Sequence, residues 1–442
     1  MNTILDYVHR WASECPDKPA IISRDGVIAY RELCERMKIQ PPRPPRGSSL
    51  YSNCETDALV NNDVSRENLQ QEEVSKKLPL GGRGGCLPIP LLGESWESDF
   101  CLYTTGTTGK SKGVVISQKA VISNSENLIA GQGFTHDLVF VIAGSMEHLG
   151  CWSKIFPVLM LGATIYVIED GMKDIDGFFK AFELPLEKYS LPANTKFATF
   201  LVPSNIRILL QFASDRLEAI ADRIDFLETG AAPMPHSDML TLCKILPNTR
   251  LYNTYASTET GIVSTYNYND GECIAGCLGH ALPHSQFLIT PEGHIACKGD
   301  TLMNGYKDEP ELTRTVLHDE TLFTADNGYI DEQGRLHILG RDDDTINTGG
   351  FKVAPSEVEE VALSMPDIED CICISQPHPV LGNALALLVV LKNGSTLNKR
   401  AIALHLSEKL KRYQIPLTYK AVDKVQRTFN GKLDRKFYKS VK

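Results

Sequence analysis

The sequence predicts an α/β protein in two parts: a large N-terminal domain, residues 1–340, with mainly parallel layered sheets and a β-rich subdomain, and a small α+β lid at 341–442. Three observations carry that prediction. Apolar runs of strand length alternate with helical patterns from Lys119 to Thr229, which implies crossover connections and a parallel sheet covered on both faces. Beyond Gly276 the texture changes to short strands punctuated by glycine, and after Gly340 the chain carries a further set of helices and strands of its own.

Taken in order, residues 4–12 have the pattern of a short amphipathic helix. Ala20–Ile22 and Val27–Tyr30 flank Asp25-Gly26, a hairpin signal, and a helix over Arg31–Lys38 follows. From Pro41 to about Glu97 periodicity stops. Pro41-Pro42-Arg43-Pro44-Pro45, a polar stretch and Gly81-Gly82-Arg83-Gly84-Gly85 read as a shortened, irregular or linker-like segment, 41–97. Helices are then expected at Lys119–Leu128, Cys151–Leu161 and Ser204–Phe212, with strands at Leu138–Ala143, Thr164–Ile168, Phe197–Val202 and Ile224–Glu228. Gln286–Ile289, His294–Cys297 and Leu336–Leu339 are the short strands of the β-rich part. In the lid, helices are expected at Pro355–Met365 and Asn398–Leu410, and strands at Cys371–Ser375, Leu385–Leu391 and near Tyr419–Val422. Ser356 with Glu359 three residues later predicts a capping box on the first lid helix.

At 442 residues, 42% hydrophobic and 23% charged, the chain has globular composition and exceeds one ordinary core. A net charge of −10 argues against general nucleic-acid binding. From Lys392 onward, however, fourteen Lys and Arg face three Asp and Glu, a balance that suits a polyanionic ligand or an acidic partner. Twelve cysteines without a Cys-x-x-Cys pair read as reduced thiols of a cytoplasmic protein. Charged residues interrupt Met1–Lys18, so no signal core is expected there. Ile155–Ile168, the most apolar long stretch, contains Pro157 and Gly162 and is too short for a membrane span.

The stretch with the clearest chemistry is Tyr103-Thr104-Thr105-Gly106-Thr107-Thr108-Gly109-Lys110-Ser111-Lys112-Gly113. Glycine allows close backbone approach, and the hydroxyl, amide and ammonium donors suit a polyphosphate. Thr104 stands where the common G-x-x-x-x-G-K-[ST] phosphate loop needs glycine, so this is a different loop. Read without other motifs, a polar surface hairpin is the default for such a cluster.

Four more motifs follow it, and together the five resemble the AMP-forming acyl-adenylate synthetase superfamily of acyl-CoA synthetases, peptide-synthetase adenylation domains and insect luciferases. The resemblance covers roughly residues 100–442, and weakly 1–38. The loop is similar to Y-T-S-G-T-T-G-x-P-K-G, with Thr105 for serine and Ser111 for proline. By resemblance Thr104, Thr105, Thr107, Thr108 and Lys112, with Gly106 and Gly109, hold the β- and γ-phosphates of ATP. Gly230-Ala231-Ala232-Pro233 and Asn253-Thr254-Tyr255-Ala256-Ser257-Thr258-Glu259 match the adenine slot. There the resemblance assigns Tyr255 to adenine, Thr258 to the α-phosphate and Glu259 to Mg²⁺. Thr324-Ala325-Asp326, with alanine where the family has glycine, and Arg341 imply ribose recognition, while Asp343 aligns with the hinge of a mobile lid. Asn347-Thr348-Gly349-Gly350-Phe351-Lys352-Val353 matches the loop whose glycine, at Gly350, leaves room for pantetheine. Arg427-Thr428-Phe429-Asn430-Gly431-Lys432-Leu433-Asp434-Arg435 resembles P-x-T-x-x-G-K-x-x-R, with Gln426 for proline, and points to Lys432 as the residue bridging substrate carboxylate and α-phosphate.

The implied reaction activates a small-molecule carboxylic acid to acyl-AMP and passes it to CoA or to the phosphopantetheine of an acyl carrier protein. Gly144-Ser145-Met146-Glu147-His148-Leu149-Gly150 lies at the acid-pocket segment, with His148 where enzymes for α-amino acids place an aspartate, so an acid without an α-amine is expected. A different class of reading is a catalytically impaired relative that binds nucleotide or acyl-adenylate as a partner or regulator, motivated by segment 41–97. Cys273, Cys277, His280 and His284 have zinc-like spacing, but a G-x-x-G-x-x-x-P turn of the family falls on Gly276–Pro283 and favours a structural reading.

Overall fold

A computed structural model describes residues 1–38, 98–105, 111–428 and 432–440. The expected irregular segment 41–97, residues 106–110 of the polar loop, and Phe429, Asn430 and Gly431 lie outside the described residues.

The first helix, Ile4–Glu14, begins at a reciprocal cap: Thr3 Oγ1 accepts from Asp6 N at 3.3 Å, and Asp6 Oδ2 from Thr3 N at 3.1 Å. The hairpin Pro19–Ser23 and Gly26–Ala29 then forms the edge of the main sheet. From Pro19–Ser23 inward, Thr164–Val167, Val139–Ile142, Phe197–Leu201, Ile224–Thr229 and Arg250–Ser257 pair in parallel. At Arg250–Ser257 the direction changes. Gly261–Asn267, Cys277–Ala281, Leu336–Arg341, Thr321–Ile330, His294–Gly299 and Ser285–Ile289 continue the same sheet antiparallel. The parallel sheet and the β-rich part are thus halves of one continuous sheet.

Strands of the parallel half are apolar on both faces because helices cover both. Ile4–Glu14, Tyr30–Lys38, Gln118–Gln132 and Leu149–Met160 pack on one face around Phe140, Ile155, Leu159 and Phe226. Ile175–Phe182, Pro203–Phe212 and His236–Ile245 pack on the other around Val141, Phe178, Leu209, Leu227 and Met239. A separate three-stranded sheet, Phe100–Thr105, Ser111–Ile116 and Gly305-Tyr306, carries the flanks of the polar loop as an antiparallel hairpin.

After Asp342–Asp344 the chain builds a second core. Ile368–His378, Gly382–Leu391 and Thr418–Ala421 form its sheet, with helices Pro355–Leu363 and Lys399–Lys409 around Val358, Cys373, Leu387 and Leu406. The expected capping box is absent here. Pro355 takes the first helical position after Ala354, so the Ser356 hydroxyl lies inside the helix and donates to the Leu339 carbonyl at 2.8 Å. Glu359 is buried and pairs with Arg435 at 2.7 Å. No helix among the described residues is long and apolar enough to cross a membrane, and ten described cysteines are unbridged.

Candidate active site

The ends of two adjacent parallel strands begin the site. Ile224–Thr229 runs into Gly230-Ala231-Ala232, and Arg250–Ser257 carries Asn253 and Tyr255 before the Thr258-Glu259 turn. Thr229 lies opposite Asn253, so both segments leave the sheet at the same carboxyl edge, where open α/β sheets form crevices. A Cβ on Gly230 would lie 3.1 Å from the Thr254 carbonyl oxygen, which explains glycine at this close approach. Ala231 follows at φ +68°, a left-handed conformation uncommon for a residue with a side chain. Asn253 is buried and donates to the Cys277 carbonyl at 3.1 Å, fastening the antiparallel half to this edge.

Asp326 and Arg341 come from neighbouring antiparallel strands, directly opposite each other in register. Arg341 Nε is 3.5 Å from Asp326 Oδ1, and Tyr255 Oη donates to Asp326 Oδ2 at 2.8 Å. The Tyr255 ring packs among Val263, Leu278 and Ile295 and is only 5% exposed, leaving the hydroxyl to reach the carboxylate. Burial, then the nearby Asp326 charge, raises the hydroxyl pKa well above its ordinary value, so Tyr255 stays a donor.

Glu259 is tied to the polar hairpin through a tyrosine. Its Oε1 accepts from Tyr306 Oη at 3.1 Å, and Lys112 Nζ stands 5.1 Å from the Tyr306 ring centroid. Tyr306 reaches that position because it pairs with Val114 on the hairpin's second strand. Ser257 and Thr260 lock the intervening turn: each hydroxyl accepts the other's backbone N–H at 3.0 Å. Thr258 is half-buried within it. Glu259 beside Thr258 offers hard oxygen donors, a set that fits Mg²⁺ when phosphate and water complete the shell.

The last member comes from the second core. Thr428 N donates to the Lys432 carbonyl at 2.8 Å, and Arg427 bridges Leu433, closing a turn with Lys432 at its end. The Lys432 side chain is exposed, in a cleft crowded enough for desolvation to lower its pKa. The Arg341 charge lowers it further, and Asp326 and Glu259 oppose the shift. One lysine therefore senses charges from both halves of the large sheet.

Other expected site residues lie around this group. Thr104 is opposite Lys112 in the hairpin, and Thr105 ends the first strand; Gly106, Thr107, Thr108 and Gly109 lie outside the described residues. Asp343 sits in the connecting turn, 3.8 Å from Arg341 Nη2. His148 precedes helix Leu149–Met160, its carbonyl accepting from Trp152 N at 2.9 Å. Gly350 has φ +87°, and a Cβ there would meet nothing within 4 Å. The zinc-like set does not converge: His284 pairs with Glu126 at 2.8 Å, Cys273 hydrogen-bonds Cys243, and Cys277 is buried while His280 is exposed. No cluster of three metal-ligating side chains occurs among the described residues.

Sequence reasoning missed one charged pair beside the His148 segment. Lys154 Nζ and Glu228 Oε1 are 2.9 Å apart, each side chain 1% exposed. Phe200 covers them: its ring centroid is 5.4 Å from Lys154 Nζ, and a Cβ on Gly150 would lie 2.4 Å from its Cε1. Burial pushes the neighbouring Cys151 thiol up to about 12. The signal was a charge within each of two apolar runs, Lys154 in Leu149–Met160 and Glu228 in Ile224–Thr229.

With the geometry in hand, the relatives can be compared. The AMP-binding enzyme family model matches residues 55–307, and the AMP-binding enzyme C-terminal domain matches 357–432. A long-chain-fatty-acid–CoA ligase of Bacillus subtilis is 28% identical over 362 residues, covering 79% of this chain and 63% of that protein. This chain thus spans less than two thirds of that relative. An indoleacetate–CoA ligase of Aromatoleum aromaticum is 28% identical over 374 residues, covering 81% and 70%. Among solved structures, ATP-bound MatB from Rhodopseudomonas palustris aligns with a TM-score of 0.69 at 28% identity, over 77% of this chain and 68% of that one. Two family models in order, on a fold of the same kind, make this chain a member of the AMP-binding enzymes, the AMP-forming acyl-adenylate synthetase superfamily.

Proposed function

We propose that the protein is an AMP-forming acid–thiol ligase. It activates a carboxylic acid lacking an α-amine with ATP, then passes the acyl group to the thiol of CoA or of a carrier protein's phosphopantetheine. The observation that carries this reading is the Asp326 carboxylate held between Tyr255 Oη at 2.8 Å and Arg341 Nε at 3.5 Å, with Glu259 tied to the polar hairpin through Tyr306.

In the first step a substrate carboxylate oxygen attacks the α-phosphorus, the bond to the β-bridging oxygen breaks, and pyrophosphate leaves with the electron pair. The protein supplies position and charge rather than a nucleophile. Lys432 bridges the carboxylate and the α-phosphate, Thr258 donates to that phosphate, and Asp326, held by Tyr255 and Arg341, accepts from the ribose hydroxyls. Gly230, Ala231, Ala232, Asn253 and Tyr255 flank adenine, and the Thr104–Lys112 loop takes the β- and γ-phosphates. Glu259 would hold Mg²⁺, which would supply charge neutralisation at the phosphates. In the second step the thiol loses its proton to solvent and its sulfur attacks the acyl carbonyl carbon; the bond from that carbon to the phosphate oxygen breaks, and AMP leaves with the electron pair. The C-terminal unit, residues 341–442, turns about Asp343 to withdraw Lys432 and bring in the Gly350 loop. His148 at the acid side, without an aspartate for an amine, supports the acid class, and relatives named for CoA ligation support CoA as acceptor.

Pyrophosphate release measured with fatty, aryl and dicarboxylic acids tests this directly, first without acceptor and then with CoA or a phosphopantetheinylated carrier. Release with at least one acid, followed by thioester formation, is expected; nucleotide binding with no release for any acid overturns the ligase reading. Tyr255→Phe keeps the ring and removes the 2.8 Å bond to Asp326. The KM for ATP is expected to rise about tenfold, the low end for a hydrogen bond to a charged acceptor, with kcat little changed.

A further inference from the structure

The Asp370 carboxylate, on strand Ile368–His378 of the second core, is shared between two guanidinium groups. Arg207, on helix Pro203–Phe212 of the large domain, donates from Nη1 to Asp370 Oδ1 at 3.0 Å. Arg427 donates from Nη2 to Oδ1 at 3.0 Å and to Oδ2 at 2.8 Å. On its own side Arg207 is gripped by Asp238, with Nε and Nη2 each 3.0 Å from Oδ2. The four side chains are between 18% and 27% exposed, so solvent screens them only in part. Arg427 in turn bridges Leu433 and begins the turn that ends in Lys432. A path of polar contacts therefore runs from a large-domain helix to the turn that carries Lys432, and Arg207, Asp238, Asp370 and Arg427 are not among the residues assigned to nucleotide or acid.

The charge balance of this set is arranged for release. Arg207 with Asp238 is a neutral pair on one side, and Asp370 with Arg427 is a neutral pair on the other; the Arg207–Asp370 bond crosses between them, beside Glu360 of the second core, whose Oε1 accepts from His236 N of the large domain at 2.8 Å. Parting the two sides breaks these two hydrogen bonds and leaves each of the four charges of the Arg207, Asp238, Asp370 and Arg427 set with a counterion on its own side. A partly buried pair with a single carboxylate on one side would instead oppose separation strongly.

We propose that Arg207 is a positioning residue for Lys432: through Asp370 and Arg427 it latches the C-terminal unit in the orientation that presents Lys432 to the cleft, and the latch opens when that unit turns about Asp343. The proposal rests on the ligase reading for its catalytic consequence, and on the interface geometry alone for its conformational one.

Arg207→Gln removes the crossing charge. At saturating ATP and acid, pyrophosphate release is expected to fall about 5- to 100-fold, the range of ordinary coupling between conformational states, with the KM for ATP within about twofold of wild type. Thioester formation from supplied acyl-adenylate is expected to be unchanged or faster, and Arg207→Lys is expected to restore part of the loss. Small-angle X-ray scattering of the ligand-free variant is expected to differ from wild type as the lobes redistribute. Equal loss in both steps, or a scattering profile identical to wild type, overturns the proposal. Asp370→Asn, made on the opposite side, provides the same comparison if Arg207→Gln does not fold. A wild-type protein that releases no pyrophosphate would sink the ligase reading, and the scattering comparison would still decide the latch.

Discussion

Lys432→Ala is expected to slow pyrophosphate release by about 10²- to 10³-fold while sparing thioester formation from supplied acyl-adenylate. The magnitude is that of removing one preorganised donor aimed at developing charge. The asymmetry follows from where the lysine sits: its ammonium belongs to the C-terminal turn, while Asp326, Glu259 and Arg341, whose charges act on it, belong to the large domain. If thiol transfer needs that turn withdrawn, the side chain is idle in the second step. Single-turnover measurement of both half-reactions checks this, and equal loss in the two would remove the basis for a two-orientation cycle. ATP affinity is expected to change much less than kcat, because ribose, adenine and β,γ-phosphate contacts are assigned to other residues.

Lys154→Met is expected to destabilise the fold by about 3–5 kcal/mol, since it leaves the Glu228 carboxylate buried without its cation. Glu228 Oε2 has no hydrogen-bond partner among the described residues, and the side chain is 1% exposed, so Lys154 is its principal source of compensation. Removing both charges, Lys154→Met with Glu228→Leu, is expected to recover most of that loss because neither desolvation penalty remains. Urea unfolding of the two variants distinguishes these outcomes; a double variant no more stable than the single would show that packing at Phe200 rather than charge dominates.

Much of the parallel half was legible because its elements are long and strongly periodic. Helix Gln118–Gln132 and strands Val139–Ile142, Phe197–Leu201 and Ile224–Thr229 fall within a few residues of their expected limits. Thr321–Ile330 was not legible as a strand, because Asp326-Asn327-Gly328 is a turn signal by composition. Two flanking strands supply ladder partners and override that preference. Ser356 and Glu359 had the right spacing for a cap, but tertiary partners took both side chains, Leu339 and Arg435.

By itself the sequence determined the order of the motifs, the residue types within them and the alternation that makes a parallel sheet, because these depend on local spacing and backbone preference. Which residues meet was decided only by the tertiary structure. Asp326 and Tyr255 are 71 positions apart, and Arg207 and Asp370 are 163 apart. No periodicity reaches over such separations. Contacts of that kind exist because the sheet sets register, the helices set layers, and the second core docks through bonds such as Arg207–Asp370 and His236–Glu360.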